Sequence, residues 1–159
     1  MAEKEFDLKG EYGKIKEKYN LPEFVKLSED FDINKVDDKE STYLVRSIRR
    51  SMNEKISAYL HLLELFINPN SPPLFILSAL RGLEGPEKES IKEMYKELSR
   101  IQVEVMKMDT IYDEKKEALF IINTFNQWQK IKPKMIKIID KIGEGIEKEE
   151  VSKERGYFG

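Results

Sequence analysis

Cysteine is absent from the sequence and histidine occurs once, which excludes many familiar catalytic and metal-binding arrangements. Disulfides and thiolate chemistry need cysteine, and a zinc site needs several histidine or cysteine ligands. A serine-histidine-aspartate triad would have to use His61, which a helical projection places on a polar face. We therefore expect His61 to be a solvated surface residue.

Nucleotide-binding loops are also lacking. No Gly-Lys-Ser/Thr sequence occurs, and Gly143-Glu144-Gly145 lies at a predicted helix end, where glycine is an ordinary stop signal. Carboxylate pairs one helical turn apart, such as Glu93/Glu97 and Asp113/Glu117, could hold a hard cation, but interleaved lysines favour a solvated helix face. The sequence predicts no cofactor, no metal and no enzymatic activity.

Long apolar runs are missing as well, since no segment approaches eighteen uninterrupted apolar residues. The charged start of the chain lacks the apolar core of a signal peptide. We therefore expect neither a membrane span nor a membrane partner. A cysteine-free chain fits a reducing cytoplasm, which is the location we predict, and the dominance of lysine and glutamate suggests a thermophilic source.

The 159 residues suit one compact domain, and 36% of them are charged. Twenty-eight basic residues nearly balance thirty acidic ones, giving a formal charge of −2. No overall field attracts nucleic acid or anionic lipid, so any such binding must be local.

Apolar residues recur every three to four positions along most of the chain, which predicts amphipathic helices. Pro133 is expected to kink or break the last of them, and Gly143-Gly145 to end it. The fold class predicted is an all-α, single-domain antiparallel helical bundle of about five to seven helices over residues 1–146, with a charged, flexible tail over 147–159. The predicted helices run from Leu8 to Tyr19, Phe24 to Phe31, Leu44 to Phe66 after a capping box at Asp37–Glu40, Pro72 to Leu80, Pro86 to Met108, and Ala118 onward.

Arginines in the long third helix form the first candidate site. The helical projection points Arg46 and Arg50 to solvent, and places Arg49 and Lys55 on or beside the apolar stripe. Such a cation must extend its charged end to water, pair with an acid from another helix, or meet a bound anion or partner.

Lysines in the last helix form the second candidate site. Between residues 130 and 141 the single acidic residue is Asp140. Basic amphipathic helices bind nucleic acid, membrane surfaces or partner grooves, but these lysines could instead neutralise the acidic segments 1–40 and 84–114. The candidate anion- or partner-binding residues are Arg46, Arg49, Arg50, Lys55, Lys130, Lys134, Lys137 and Lys141.

Two stretches, Leu74–Leu80 and Leu119–Phe125, are apolar around more of the helix than one stripe requires. Either they are central core helices, or a second copy or another protein covers part of them. The leading hypothesis is a non-enzymatic helical interaction or oligomerisation module that binds itself or another protein through apolar helix faces. The alternative is a nucleic-acid-binding accessory protein that uses Arg46–Arg50 and Lys130–Lys141.

Overall fold

The computed structural model describes residues 5–37 and 42–158, with side chains described as far as residue 148. Across these ranges the regular structure is helical and contains no strand, which confirms the predicted all-α class. A three-residue 3-10 helix, Ile33–Lys35, follows the second helix. The six α-helices of the described ranges are α1 (Leu8–Tyr19), α2 (Phe24–Phe31), α3 (Leu44–Ile67), α4 (Leu74–Gly82), α5 (Gly85–Thr110) and α6 (Glu114–Phe158).

The ends of the first two helices follow local chemistry. The Asp7 carboxylate caps α1 by accepting a hydrogen bond from the Gly10 amide at 3.0 Å. Asn20 and Asp32 end α1 and α2 in the left-handed conformation, with φ of 55° and 54°, a region that asparagine and aspartate enter more readily than most residues. The predicted end of α1 at Asn20 is confirmed, whereas most of the capping box predicted at Asp37–Glu40 lies outside the described residues.

The last helix differs from its prediction. Pro133 does not break it, because α6 continues from Glu114 to Phe158 with the proline inside. Proline removes one amide donor, but Ile131 and Met135 on either side are both buried, so packing holds the flanking turns in place. The prediction that this helix ends at Gly143-Gly145 is wrong, because α6 continues past both glycines. The segment predicted as a tail from Glu147 is helical as far as Phe158. Its flexibility stays a prediction.

The chain divides into two compact units. Unit 1 comprises Met1–Ser57 and Ile101–Trp128, and unit 2 comprises Ala58–Arg100 and Gln129–Gly159. The division falls inside α3, α5 and α6, which each contribute residues to both. The predicted single domain over 1–146 is not tested by this division and stays a prediction.

Aromatic side chains organise the core of unit 1. The rings of Phe31 and Trp128 lie 5.9 Å apart, and those of Tyr12 and Phe24 meet edge to face at 5.3 Å. The Tyr12 hydroxyl donates to the Pro22 carbonyl at 2.6 Å. Burial, followed by the nearby Glu23 charge, raises the pKa of Tyr12 well above its usual range. These contacts join α1 and α2 to the first half of α6.

A close approach of two helices organises the core of unit 2. Gly145 of α6 lies against the backbone of α4, where an added Cβ would come within 2.9 Å of the Ala79 nitrogen and 3.1 Å of the Ser78 carbonyl carbon. Ala79 is itself 1% exposed. Gly145 therefore serves packing rather than helix termination, because only a residue without a side chain fits at this crossing.

Candidate interaction surfaces

Four charged side chains from α3, α5 and α6 form a cluster in unit 1, which we call the charge cluster: the buried Arg49 and Glu117, the half-buried Arg46 and the exposed Asp109. Glu117 Oε1 accepts from Arg46 Nε at 2.7 Å and from Arg49 Nη2 at 3.1 Å. Arg49 Nη2 also donates to Asp109 Oδ1 at 2.6 Å. Two cations and two anions thus balance one another, with Glu117 fully buried and Arg49 1% exposed.

The structure therefore gives the candidate residues Arg46 and Arg49 internal partners. The predicted position of Arg49 beside the apolar stripe is confirmed, but the prediction that Arg46 points to solvent is wrong. Its side chain is 17% exposed, donates to the Met108 carbonyl at 2.8 Å, and lies 4.8 Å over the Tyr112 ring. A projection of α3 alone misses this because the partners come from α5, α6 and the segment joining them.

The two carboxylates of the pair Asp113/Glu117 have different roles in the structure. The Asp113 side chain caps α6 by accepting from the Lys116 amide at 3.1 Å. Glu117, one turn later, is buried among the arginines rather than solvated as predicted. Two polar atoms of the charge cluster, Arg49 Nε and Glu117 Oε2, have no hydrogen-bond partner within the described part of the chain. Within the described part of the chain, the hydrogen-bonding groups of the cluster are therefore only partly paired.

A second network, at the start of α6, surrounds Glu114. Its carboxylate accepts from the Tyr19 hydroxyl at 2.6 Å and the Tyr112 hydroxyl at 3.3 Å, and lies 3.4 Å from Lys18 Nζ. The hydrogen bond from Tyr19 is the main reason that the pKa of Glu114 is lowered. Burial, with the nearby Glu114 charge, raises the pKa of Tyr112 to about 12. The network holds the end of α1 against α6.

The remaining cations of α3 have no such partners in the part of the chain that the structure describes. Arg50 is exposed and Lys55 is half-buried, close to where the sequence places them. Neither forms an ion pair with another residue in the described ranges. His61 is exposed as predicted, with Nδ1 3.5 Å from a Glu64 oxygen.

The lysines of α6 divide into two groups. Lys130, Lys134 and Lys137, which we call the lysine row, are exposed and form no ion pair with any residue that the structure describes. Lys141 differs, since its Nζ lies 3.5 Å from Glu144 and 3.6 Å from Glu87. These two charges, Glu144 first, raise the pKa of Lys141. Among the described residues, one of the four α6 candidates therefore has an ion-pair partner and three have none.

Unit 2 also exposes apolar side chains on α4 and α6. Leu74 and Phe75 begin α4 at 71% and 44% exposure, so this helix is not enclosed on all sides by described residues. On α6, Ile136, Ile139 and Ile146 are 48%, 42% and 43% exposed. We call these three residues the isoleucine stripe. Leu119–Phe125 in unit 1 is mixed, because Leu119 is exposed whereas Phe120 and Ile121 are buried.

The sequence analysis did not single out the isoleucine stripe. Met135 and Ile138 lie in the core, at 1% and 2% exposure. The sequence did contain a signal for the stripe. The pairs Met135-Ile136 and Ile138-Ile139 place apolar residues on two adjacent arcs of the helix, and packing along one stripe buries only one of these arcs.

Metal and membrane sites find no support in the part of the chain that the structure describes. Its His, Asp and Glu side chains form no group of three placed to hold a metal ion. None of its helices combines the length and apolar character needed to cross a bilayer.

Comparison with known proteins assigns no family: the chain matches no protein-family model, no curated protein and no solved structure. The observations that bear on function are therefore those of charge, exposure and packing. They place the lysine row and the exposed isoleucines of α6 in one unit, and the paired Arg46 and Arg49 in the other.

Proposed function

We propose that this protein is a non-enzymatic helical interaction module that self-associates through the isoleucine stripe of α6. The observation that carries the proposal is the exposure of all three stripe residues, each above 40%. At about 100° per residue, they lie within an arc of roughly 80° on α6. They therefore form one face rather than scattered positions.

Exposed apolar residues need an explanation only when several of them lie together on the surface. A single exposed leucine or isoleucine is normal on a protein surface, whereas a contiguous apolar face is typical of an interaction site. Gly145, next to Ile146, contacts α4, the helix that also exposes Leu74 and Phe75. Two neighbouring helices of unit 2 thus contribute apolar surface.

A second copy of the chain fits this face because the stripe contains both projections and a depression. Gly143 lies between Ile139 and Ile146 on the same arc, and an added Cβ there would meet no atom within 4 Å. Side chains of one helix can enter the gap left by a small residue on another. In a twofold dimer each stripe would supply both parts of the contact.

Sedimentation equilibrium across about 1–100 µM tests the proposal, because association depends on protein concentration. The informative variant is Ile136→Gln/Ile139→Gln, and its matched control is Val103→Gln/Met106→Gln. The control changes two residues at the same spacing on α5 of unit 1, exposed at 49% and 66%.

We expect the wild-type protein and the control to associate and the stripe variant to remain monomeric. A wild-type protein that is strictly monomeric contradicts self-association, and equal association of both variants contradicts the stripe as its surface. A cytoplasmic location is part of the same proposal and is supported by the lack of cysteine.

A further inference from the structure

The lysine row is a line of unneutralised charge on one face of α6. Lys130, Lys134 and Lys137 are spaced by four and three residues, which places them within an arc of roughly 60° and along about 10 Å of helix. All three are exposed, and none has an ion-pair partner among the residues that the structure describes. Like charges four residues apart destabilise a helix.

Some exposed lysines of this chain are neutralised locally, whereas others, such as Lys26 and Lys96, form no ion pair with the described residues. Lys14, Lys92 and Lys107 each lie within 3.5 Å of a glutamate three residues earlier on the same helix. Lys141, one turn beyond the lysine row, contacts Glu144 and Glu87. The row gathers three lysines that have no such partner among the described residues on one arc of α6, so an external anion can relieve their mutual repulsion.

The shape of the row indicates the kind of anion. On the helical projection Asp140 and Glu144 stand beside the row, and the isoleucine stripe lies roughly opposite it. A flat anionic membrane would meet the flanking carboxylates together with the lysines. A narrow strand of charge can instead follow the row alone, and a nucleic-acid strand carries phosphates at about 3.4 Å per charge along its axis.

We propose that the lysine row binds the phosphate backbone of a nucleic-acid strand. Lysine ammonium groups contact phosphates as point charges, and such contacts carry no base sequence information. Binding is therefore independent of sequence and sensitive to salt. The row lies on a different face from the stripe, so this inference does not rest on self-association.

Fluorescence anisotropy with a labelled 20-nucleotide single strand, as DNA and as RNA, tests the inference across a salt series. With three phosphate contacts, we expect the logarithm of affinity to fall with the logarithm of salt concentration with a slope of about −2. The variant is K130Q/K134Q/K137Q. The control K14Q/K92Q/K107Q removes the same number of positive charges from positions that are already ion-paired.

We expect the row variant to lose at least tenfold in affinity at low salt and to show a flatter salt dependence, while the control keeps wild-type binding. Circular dichroism and sedimentation of both variants check that folding and association are unchanged. Absence of binding to either strand at low ionic strength overturns the inference, as does equal loss in both variants. Polyglutamate or anionic vesicles that bind more tightly through the same three lysines would also overturn it, assigning the row to an acidic protein or a membrane.

Discussion

The two units use charged helix faces in opposite ways. In unit 1, Arg46 and Arg49 face Glu117 and Asp109 from other helices and are neutralised in the interior. In unit 2, the lysines of the row form no ion pair with the described residues and are exposed. Arginine or lysine at helical spacing therefore does not by itself indicate binding. The decisive feature is whether another helix supplies a carboxylate opposite the cation.

The units also differ in how their helices are fitted together. Unit 1 relies on directional contacts, namely the charge cluster and the hydrogen bonds to Glu114. Unit 2 relies on shape at the Gly145 crossing. Unit 1 should therefore respond to changes of charge and pH, and unit 2 to changes of side-chain volume.

The largest expected change in the free energy of unfolding comes from a substitution in the charge cluster. Glu117→Ala leaves two arginines without their shared carboxylate, and breaking a buried ion pair in this way costs roughly 3–5 kcal/mol. Urea denaturation measures the free energy of unfolding. The control is Glu104→Ala, which removes an exposed carboxylate paired with Lys107 and should change stability by less than about 1 kcal/mol. Similar losses in both variants would contradict the structural role of the cluster.

Smaller changes in stability, of opposite sign, are expected from substitutions at two glycines of α6. Gly145→Ala forces a methyl group against the α4 backbone and should destabilise the protein by about 1–3 kcal/mol. In the monomer, Gly143→Ala places the same group in open space, where higher helix propensity should stabilise by about 0.4–1 kcal/mol at protein concentrations too low for association. Thermal denaturation of the two variants distinguishes them, and a stabilised Gly145→Ala protein would show that the crossing is not tight.

The smallest expected effect concerns pH and Glu114. The folded-state pKa of Glu114 is lowered from 4.5. The stability that its ionised carboxylate adds to the folded protein is therefore fully present above pH 4.5 and is lost as the pH falls through the folded-state pKa. Glu114→Gln should cost about 0.5–1.5 kcal/mol at pH 7, the size of an ordinary hydrogen bond, and should have less effect below pH 4. Unfolding free energies at several pH values measure this difference. A cost that does not change with pH would contradict it.

Helix positions were predictable from the sequence because burial of one helix face imposes a spacing of three to four residues. This local rule located α1 to α5 and the beginning of α6. It did not predict that α6 would continue through Pro133 and Gly145, where packing holds the helix; a kink at Pro133 stays a prediction. A breaker signal read along the chain does not show that the turns on both sides are held by packing.

The surfaces were predictable only in part, for the same reason. The sequence identified the cations correctly, but it could not show that Glu117 would neutralise Arg46 or that nothing in the described ranges would neutralise Lys134. It also did not show that Ile136 and Ile139 would be exposed, because periodicity cannot distinguish two adjacent apolar arcs of which only one is covered. Partners across the fold determine which face is buried.

The dimer dissociation constant, compared between I136Q/I139Q and V103Q/M106Q by sedimentation equilibrium, tests the central claim most directly. Each dimer of the stripe variant would lose four buried isoleucine side chains, so its dissociation constant should rise at least about a hundredfold above that of the control. A dissociation constant equal in the two variants, or a wild-type protein that sediments as a monomer throughout, would contradict association through α6.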